Sequence, residues 1–447
     1  MKSIIAPFVH IFREVLFIFR LWKPSILAES TQSISEFVAI NERKWNVTTS
    51  SSEASILIEG HLSEYGPNYL VRTAVAAKAL QECIGGSIEI VANGYSYQWV
   101  TAKKTFQSFG IEKWVLLGRD FLLLNPFIYL LGWVLALIQF PRLKKPEDIV
   151  SIYFGSIKTG DLVYDEVLRT EKVFTIERLG FPVLKTLARS WYYYLQYQVL
   201  FRKSSYRYYV STHTAYPEYG LLCRVALLNN IVVVETSDIQ MSVYKTIGDG
   251  ELPTYHDGIN RSIRNELKSN FISAELRQKR AKELISKRLG SELNQLDAKK
   301  AYTGKIYQAV ELRDKLGLSK EGKIGFVVAH IFADSPHLSS SMLHVDYFRW
   351  LEDTLNYCAE VTDINWVVKP HPSCALYGEE DIVNQLVHKL AGSNVFMCPE
   401  NLNTCSLSNC ADFIVTVHGT VGLEYSCLGI PTILAGKPFY SGFGFTH

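Results

Sequence analysis

A chain of 447 residues is long enough for two or three domains, and 48% apolar against 20% charged residues describes large packed cores and excludes a disordered chain. A formal net charge of +2 supplies no broad basic field, which excludes nucleic acid as a partner. Eight scattered cysteines without a Cys-x-x-Cys pair argue against structural zinc and suit reduced thiols in the cytosol.

Residues 4–22 are apolar but interrupted by His10, Arg13, Glu14 and Arg20. A signal-peptide core does not carry an internal Arg-Glu pair, and a spanning helix would bury those charges at about 2.5–3.5 kcal/mol each near its centre. The pattern over residues 1–28 fits a helix lying on a membrane surface, or one packed on its own protein.

The first strand is predicted over Ala54–Glu59, followed by a Gly/Pro loop and a helix from about Tyr69 to Cys83 capped by Asn68. Strands over Ser87–Ala92 and Lys113–Leu117, with a helix between them, continue a Rossmann-like alternation. No Gly-x-Gly-x-x-Gly accompanies it, which disfavours a dinucleotide cofactor.

Residues 121–140 form a charge-free run of twenty, the length of a bilayer span. Yet a further strand is predicted over Asp148–Phe154, and a crossing helix would leave strands of one sheet on opposite sides. The expectation is a crossover or re-entrant helix that touches the leaflet, with Arg142, Lys144 and Lys145 at the headgroups. Asp161 and Asp165 follow in a glycine-flanked loop, either facing a ligand at a strand's carboxyl end or, for Asp161, capping a helix.

An aromatic helix is predicted up to Phe201, then a strand over Arg207–Ser211, a loop bearing His213, an apolar helix to about Leu228, and a strand over Ile231–Val234 that ends in Glu235 and Asp238. This closes an N-terminal domain over residues 50–262. Glu275/Lys279 and Glu283/Lys287 stand at i,i+4 spacing in a charged helical connection over 263–320.

The remaining domain, 321–447, opens with a strand over Lys323–Ala329, after which come His330 and Asp334. The strand Trp366–Lys369 runs into Lys369, His371 and Pro372. Phe413–Val417 runs into His418 and Gly419, followed by a helix from Thr420 that carries Gly422 and Glu424, and a strand over Ile430–Leu434. Free N–H groups at that helix start favour a phosphate, and Glu424 is placed to hold a ribose hydroxyl. A plain βαβ unit with His418 capping a turn fits the same spacing.

His371-Pro372, His418-Gly-Thr-x-Gly-x-Glu424, Gly429-x-Pro431 and the tail Gly436-Lys-Pro-Phe-Tyr440-Ser-Gly442-Phe-Gly444-Phe-Thr446 resemble the capsule polysaccharide biosynthesis family, which includes bacterial β-Kdo glycosyltransferases. Ala329–His337 and Phe348–Leu355 share the likeness, which is firm over about residues 320–447 and weaker before them. The resemblance implies an α/β GT-B fold, two Rossmann-like domains facing a central cleft, the C-terminal one binding a nucleotide sugar. It implies transfer of a sugar, foremost Kdo from CMP-Kdo, onto a capsule or lipopolysaccharide glycan or glycolipid, by a cytoplasmic protein peripheral to the inner face of the plasma membrane.

His330, Asp334, Lys369, His371, Pro372, His418, Gly419, Thr420, Gly422 and Glu424 are then the nucleotide-binding candidates. Retaining members of this group use an acidic nucleophile in the N-terminal domain. Their capsule branch carries a Glu-Asp-Gly-Phe-like sequence where this chain has Glu235-Thr-Ser-Asp238, so the position does not transfer directly. Asp238 or Glu235 comes first, Asp161 or Asp165 second and Asp257 third, with His213 orienting the acceptor. Without an Asp-x-Asp element, no obligatory metal and no cofactor beyond the donor is expected. A transferase of UDP-, GDP- or dTDP-sugars, an epimerase, a glycerophosphotransferase and a non-catalytic assembly protein are the alternatives.

Overall fold

The computed structural model describes residues 32–45, 54–60, 67–93, 99–117, 124–202, 205–236, 241–245, 255–269, 272–290, 292, 296–339, 341–390 and 392–447. The N-terminal segment 1–28 lies outside them. The chain forms two compact units, one of residues 1–166 and 178–252, the other of residues 167–177 and 253–447. The charged helical stretch that the sequence reads as a connection therefore belongs to the second unit, as does the short segment around Phe174, whose ring packs on Phe332 (5.9 Å) and stacks on Phe348 (6.4 Å).

The first unit holds β1 (Ala54–Glu59), β2 (Ser87–Asn93), β3 (Lys113–Leu117), the two-residue β4 (Tyr153–Phe154) and β5 (Ile157–Lys158), β6 (Tyr208–Ser211), β7 (Val232–Thr236) and β8 (Met241–Tyr244). Its main sheet has the order β3-β2-β1-β6-β7-β8, parallel except for the antiparallel edge strand β8. Ile56, Leu57 and Ile58 are all fully buried, as a parallel sheet covered on both faces requires.

The second unit holds β9 (Lys323–Val328), β10 (Ile364–Lys369), β11 (Val395–Met397), β12 (Phe413–Thr416) and β13 (Thr432–Leu434), in the all-parallel order β11-β10-β9-β12-β13. Both sheets are doubly wound, the Rossmann-like layering of GT-B proteins. The helix Tyr347–Glu360 buries Trp350, Leu351 and Leu355 on the second sheet. Two helices, Tyr255–Ser269 and Ala274–Leu289, form the first part of the charged helical stretch; Ser273 caps the second by accepting from the Leu276 amide (3.3 Å).

Two expectations are corrected between Leu117 and Tyr208. The strand predicted over 148–154 is instead a 3-10 turn, Pro146–Ser151, followed by the antiparallel hairpin β4-β5, which pairs outside the main sheet. Pro146 opens the turn, Asp148 accepts from the amides of Lys144 (2.8 Å) and Lys145 (3.1 Å), and Gly155 supplies the positive φ (+60°) of the tight reversal. Asp161 and Asp165 lie in the helix Gly160–Glu171 that follows this hairpin, and so not in a loop at the carboxyl end of a parallel strand. Within the run 121–140, the helix is Asn125–Gln139, fifteen residues or about 22 Å long. No described helix is long and apolar enough to cross a membrane.

Candidate functional site

In the second unit the strand order reverses between β9 and β12, and the crevice beyond the carboxyl ends there is where doubly wound sheets hold ligands. Three adjacent strands, β10, β9 and β12, each carry a histidine two residues past their last residue: His371, His330 and His418. The His330 Nε2 accepts from the main-chain amides of Val417 (3.3 Å) and His418 (3.1 Å), which puts the proton of its neutral ring on Nδ1. Its ring lies flat on Tyr347 (4.4 Å between centroids, 14°), and the Tyr347 hydroxyl meets the His418 Nδ1 at 3.0 Å. His330 therefore shapes the turn after β12 and takes up two amides that an anion would otherwise use.

His418 is buried, and that burial pulls its pKa down to about 4, so the ring is uncharged at neutral pH. As a neutral ring it meets the Tyr347 hydroxyl and carries no charge to offer a phosphate. Two glycines of the motif follow from packing. A Cβ at Gly436 would collide with the His418 ring, and one at Gly422 would collide with the Tyr440 hydroxyl. That hydroxyl donates to the Gly419 carbonyl (2.5 Å), so the carboxy-terminal tail grips the His418-Gly-Thr-x-Gly turn. Asn260 in turn donates to the carbonyls of Phe439 (2.7 Å) and Ser441 (3.0 Å), and Arg264 donates to that of Gly442 (3.0 Å) while lying over Phe443.

Lys369, the last residue of β10, is buried, and no carboxylate among the described residues pairs with it. Burial lowers the pKa of its amine, and the groups acting against that shift are only the thiols of Cys398 and Cys374. An anion placed beside such an amine would favour its charged form. His371 accepts from the Ser373 amide at Nδ1 (3.2 Å), so its Nε2 carries the proton; Pro372 stands half-buried beside it. Glu379, a residue the motifs do not reveal, accepts from the amides of Phe332 (2.9 Å) and Ala333 (3.1 Å) and so ties the loop of His330 to the loop after β10. Burial raises its carboxyl to about 7. Asp334 is exposed on the same loop, next to Ser335, whose φ of 44° is a strained conformation for a non-glycine residue.

Glu424 departs from its predicted role. Both carboxylate oxygens are engaged, one by the Arg288 guanidinium and the other by the Tyr302 hydroxyl, and the side chain is buried. Arg288 also donates to the Thr420 hydroxyl (3.1 Å), so this group fastens the helix Ala274–Leu289 to the turn instead of holding a ribose.

In the first unit the order reverses between β1 and β6, and a carboxylate the motifs do not single out, Glu59, ends β1 at that point. Its Oε2 accepts from the Ser211 hydroxyl (2.8 Å) and the Thr212 amide (3.2 Å), while Oε1 is buried with no hydrogen-bond partner among the described residues. Burial pushes its pKa up to about 8. His213 follows β6, accepts from the Ala215 amide at Nδ1 (3.1 Å) and stacks on Tyr219 (5.3 Å, 10°). The one-turn π-helix Tyr216–Gly220 begins with Tyr216 at φ 60°, a strained backbone of the kind kept at ligand sites.

The other catalytic candidates separate. Glu235 accepts from the Thr214 hydroxyl (3.1 Å) at one oxygen and from the Tyr244 hydroxyl (2.9 Å) at the other, and burial raises its pKa against the opposing pull of these two hydrogen bonds. Asp161 is buried with both oxygens on Arg224 (2.8 and 2.6 Å). Asp165, one turn further along the helix Gly160–Glu171, is buried as well. Asp238 and the Asp257 side chain lie outside the described residues. Among the described residues no three His, Cys, Asp or Glu side chains gather into a metal-binding group.

The raised pKa of Glu59 has a measurable consequence. The folded protein keeps this proton where the unfolded chain has lost it, so its contribution to stability is complete below about 4.5 and falls by about 1.4 kcal/mol per pH unit up to about 8. Glu59→Gln, which mimics the protonated form, is expected to flatten that part of the stability curve in urea unfolding followed from pH 5 to 8. An unchanged slope would show that Glu59 is ionised in the folded state.

Residues 261–447 match the profile of the family described as capsule polysaccharide biosynthesis protein. No curated protein sequence matches the chain. Among solved structures, the KpsC β-Kdo 2,4 transferase of Thermosulfurimonas dismutans is 17% identical over 56% of this chain and 78% of its own, with a TM-score of 0.37. The β-Kdo 2,7 transferase of the same KpsC is 16% identical over 56% and 72%, with a TM-score of 0.33. The UDP-GlcNAc 2-epimerase of Neisseria meningitidis is 9% identical over 86% and 82%, with a TM-score of 0.22. The match of residues 261–447 to the capsule polysaccharide biosynthesis profile spans the whole second sheet with its three histidines, Lys369 and the gripping tail.

Proposed function

We propose that the protein is a nucleotide-sugar-dependent glycosyltransferase of bacterial capsule or lipopolysaccharide assembly, with CMP-Kdo as its donor and a glycan or glycolipid as its acceptor. The observation that carries this reading is Lys369: a buried amine with no carboxylate partner among the described residues, at the carboxyl edge of a doubly wound sheet, inside the region that matches a polysaccharide-building family. A donor phosphate would supply the missing negative charge. Lys369 and the Nε2–H of His371 would then stabilise the charge that grows on the phosphate as the glycosidic bond breaks. His330, Tyr347 and His418 hold the adjoining turn in place, so little reorganisation is required on binding.

Glu235 and Asp161 spend both oxygens on protein donors, so we assign the nucleophile of a retaining transfer to Asp238, two residues beyond β7. The test titrates CMP, UDP, GDP and dTDP into the full chain and assays hydrolysis and transfer of their sugars. CMP is expected to bind most tightly and CMP-Kdo to turn over; absence of both binding and turnover with every donor rejects the reading. Asp238→Asn is expected to keep nucleotide affinity and lose transfer by roughly 10³-fold or more.

A further inference from the structure

The helix Asn125–Gln139 is two-faced in a way its own packing does not use up. Asn125, Ile128, Gly132 and Ala136 are buried against the helix Phe181–Arg202. Gly132 is required there, since a Cβ would lie 3.0 Å from the Ala188 carbonyl and 3.1 Å from the Tyr192 amide. Asn125 accepts from Tyr192 (2.9 Å) and Gln196 (2.8 Å), and Gln139 accepts from Trp191 (2.8 Å), which pins both ends and sets the helix rotation.

The opposite face carries only large apolar side chains: Phe127 (71% exposed), Leu130 (63%), Leu131 (45%), Val134 (43%), Leu137 (55%) and Ile138 (54%). At 100° per residue they cover an arc of about 120°. No charged residue lies between Phe121 and Phe140, whereas Arg142, Lys144 and Lys145 follow at once and are exposed. Asp148 holds the amides of both lysines and so fixes the basic turn to the end of the helix. Trp133 stacks on Phe181 (6.3 Å) at the flank, and Tyr153, 44% exposed, joins the helix end where its carbonyl accepts from Gln139 (3.3 Å).

We propose that this face is a membrane-docking surface that lies in the headgroup and upper acyl region of an anionic bilayer. An apolar stripe that ends in three cations is complementary to acyl chains beside anionic headgroups, and amphipathic aromatic rings at the flank suit that boundary. About 22 Å of helix is too short to span a hydrocarbon core of about 30 Å and long enough to lie along it. The chain's own apolar segment before Pro24 is a poorer occupant, since it carries Lys2, Arg13, Arg20 and Lys23 against Glu14 and would bring like charge to the basic turn. A second copy meeting this face symmetrically would do the same. The proposal concerns a surface of the first unit and does not rest on the donor.

Flotation of the full chain with phosphatidylglycerol/phosphatidylcholine vesicles, and with phosphatidylcholine alone, tests it. The wild type is expected to float with the anionic vesicles and to be released by salt. Phe127→Ser/Leu130→Ser/Leu137→Ser, on exposed positions, is expected to lower partitioning at least tenfold with thermal stability and nucleotide binding unchanged. Arg142→Gln/Lys144→Gln/Lys145→Gln is expected to lose the preference for anionic vesicles. The proposal is overturned if the wild type fails to float, if the apolar variant floats like the wild type, if removing residues 1–31 alone abolishes flotation, or if the apolar variant only turns a dimer into a monomer.

Discussion

Lys369→Met is expected to weaken nucleotide binding and sugar transfer by about 3 kcal/mol, roughly 150-fold, without a loss of stability. The two effects diverge for one reason. Burial already disfavours the charged amine, and no described carboxylate repays that cost, so an apolar side chain of similar length relieves the fold of a penalty. A structural lysine would behave in the opposite way, losing stability first. The pH dependence has a fixed sign as well. An anion favours the ammonium form, so wild-type affinity declines as pH rises through the lowered pKa of this amine, and that decline disappears in the variant. Isothermal titration with the nucleotide from pH 7 to 10, paired with thermal unfolding, reads both. Unchanged affinity would remove Lys369 from the site and with it the main support for a phosphate at this edge.

The central strands of both sheets are legible in the sequence because they are buried on both faces and read as short apolar runs, Ile56–Ile58 and Val232–Val234 in the first unit, Phe326–Val328 and Trp366–Val368 in the second, whereas the three-residue edge strand Val395–Met397 is too short to stand out. The edge strand Met241–Tyr244 is not legible either, since it alternates and has one side open. The apolar run Ile149–Phe154 imitates a strand, yet Pro146 and Gly155 confine it to a turn and a two-residue pairing.

The site divides in the same manner. Lys369, His330 and His371 follow strands directly, and a strand's end is visible in one dimension. Glu424 is misread because its partner Arg288 is 136 residues away, and Glu379 goes unnoticed because the amides it serves are 46 and 47 residues back. The neutral state of His418 comes from desolvation, which depends on packing by residues distant in the sequence, Tyr347 and Gly436 among them.

Arg224→Met is expected to destabilise the first unit by about 3–5 kcal/mol, because Asp161 would then remain a buried carboxylate with its guanidinium gone. The loss extends beyond the ion pair, since Arg224 also donates to the Lys158 carbonyl (2.6 Å) and so holds β5 against the helix Leu221–Leu228. Replacing both charges together, Asp161→Leu with Arg224→Met, is expected to recover most of that stability, as apolar pairs of similar volume do when substituted for a buried ion pair. Urea unfolding of the two single variants and the double gives the coupling directly. The same series decides between the two roles of Asp161. A nucleophile would leave the fold intact and abolish transfer in Asp161→Asn, and the double variant would be stable and inactive. A structural pair gives a double variant that is folded and still transfers sugar, and the buried bidentate geometry, which ties both oxygens to the guanidinium, favours the second outcome.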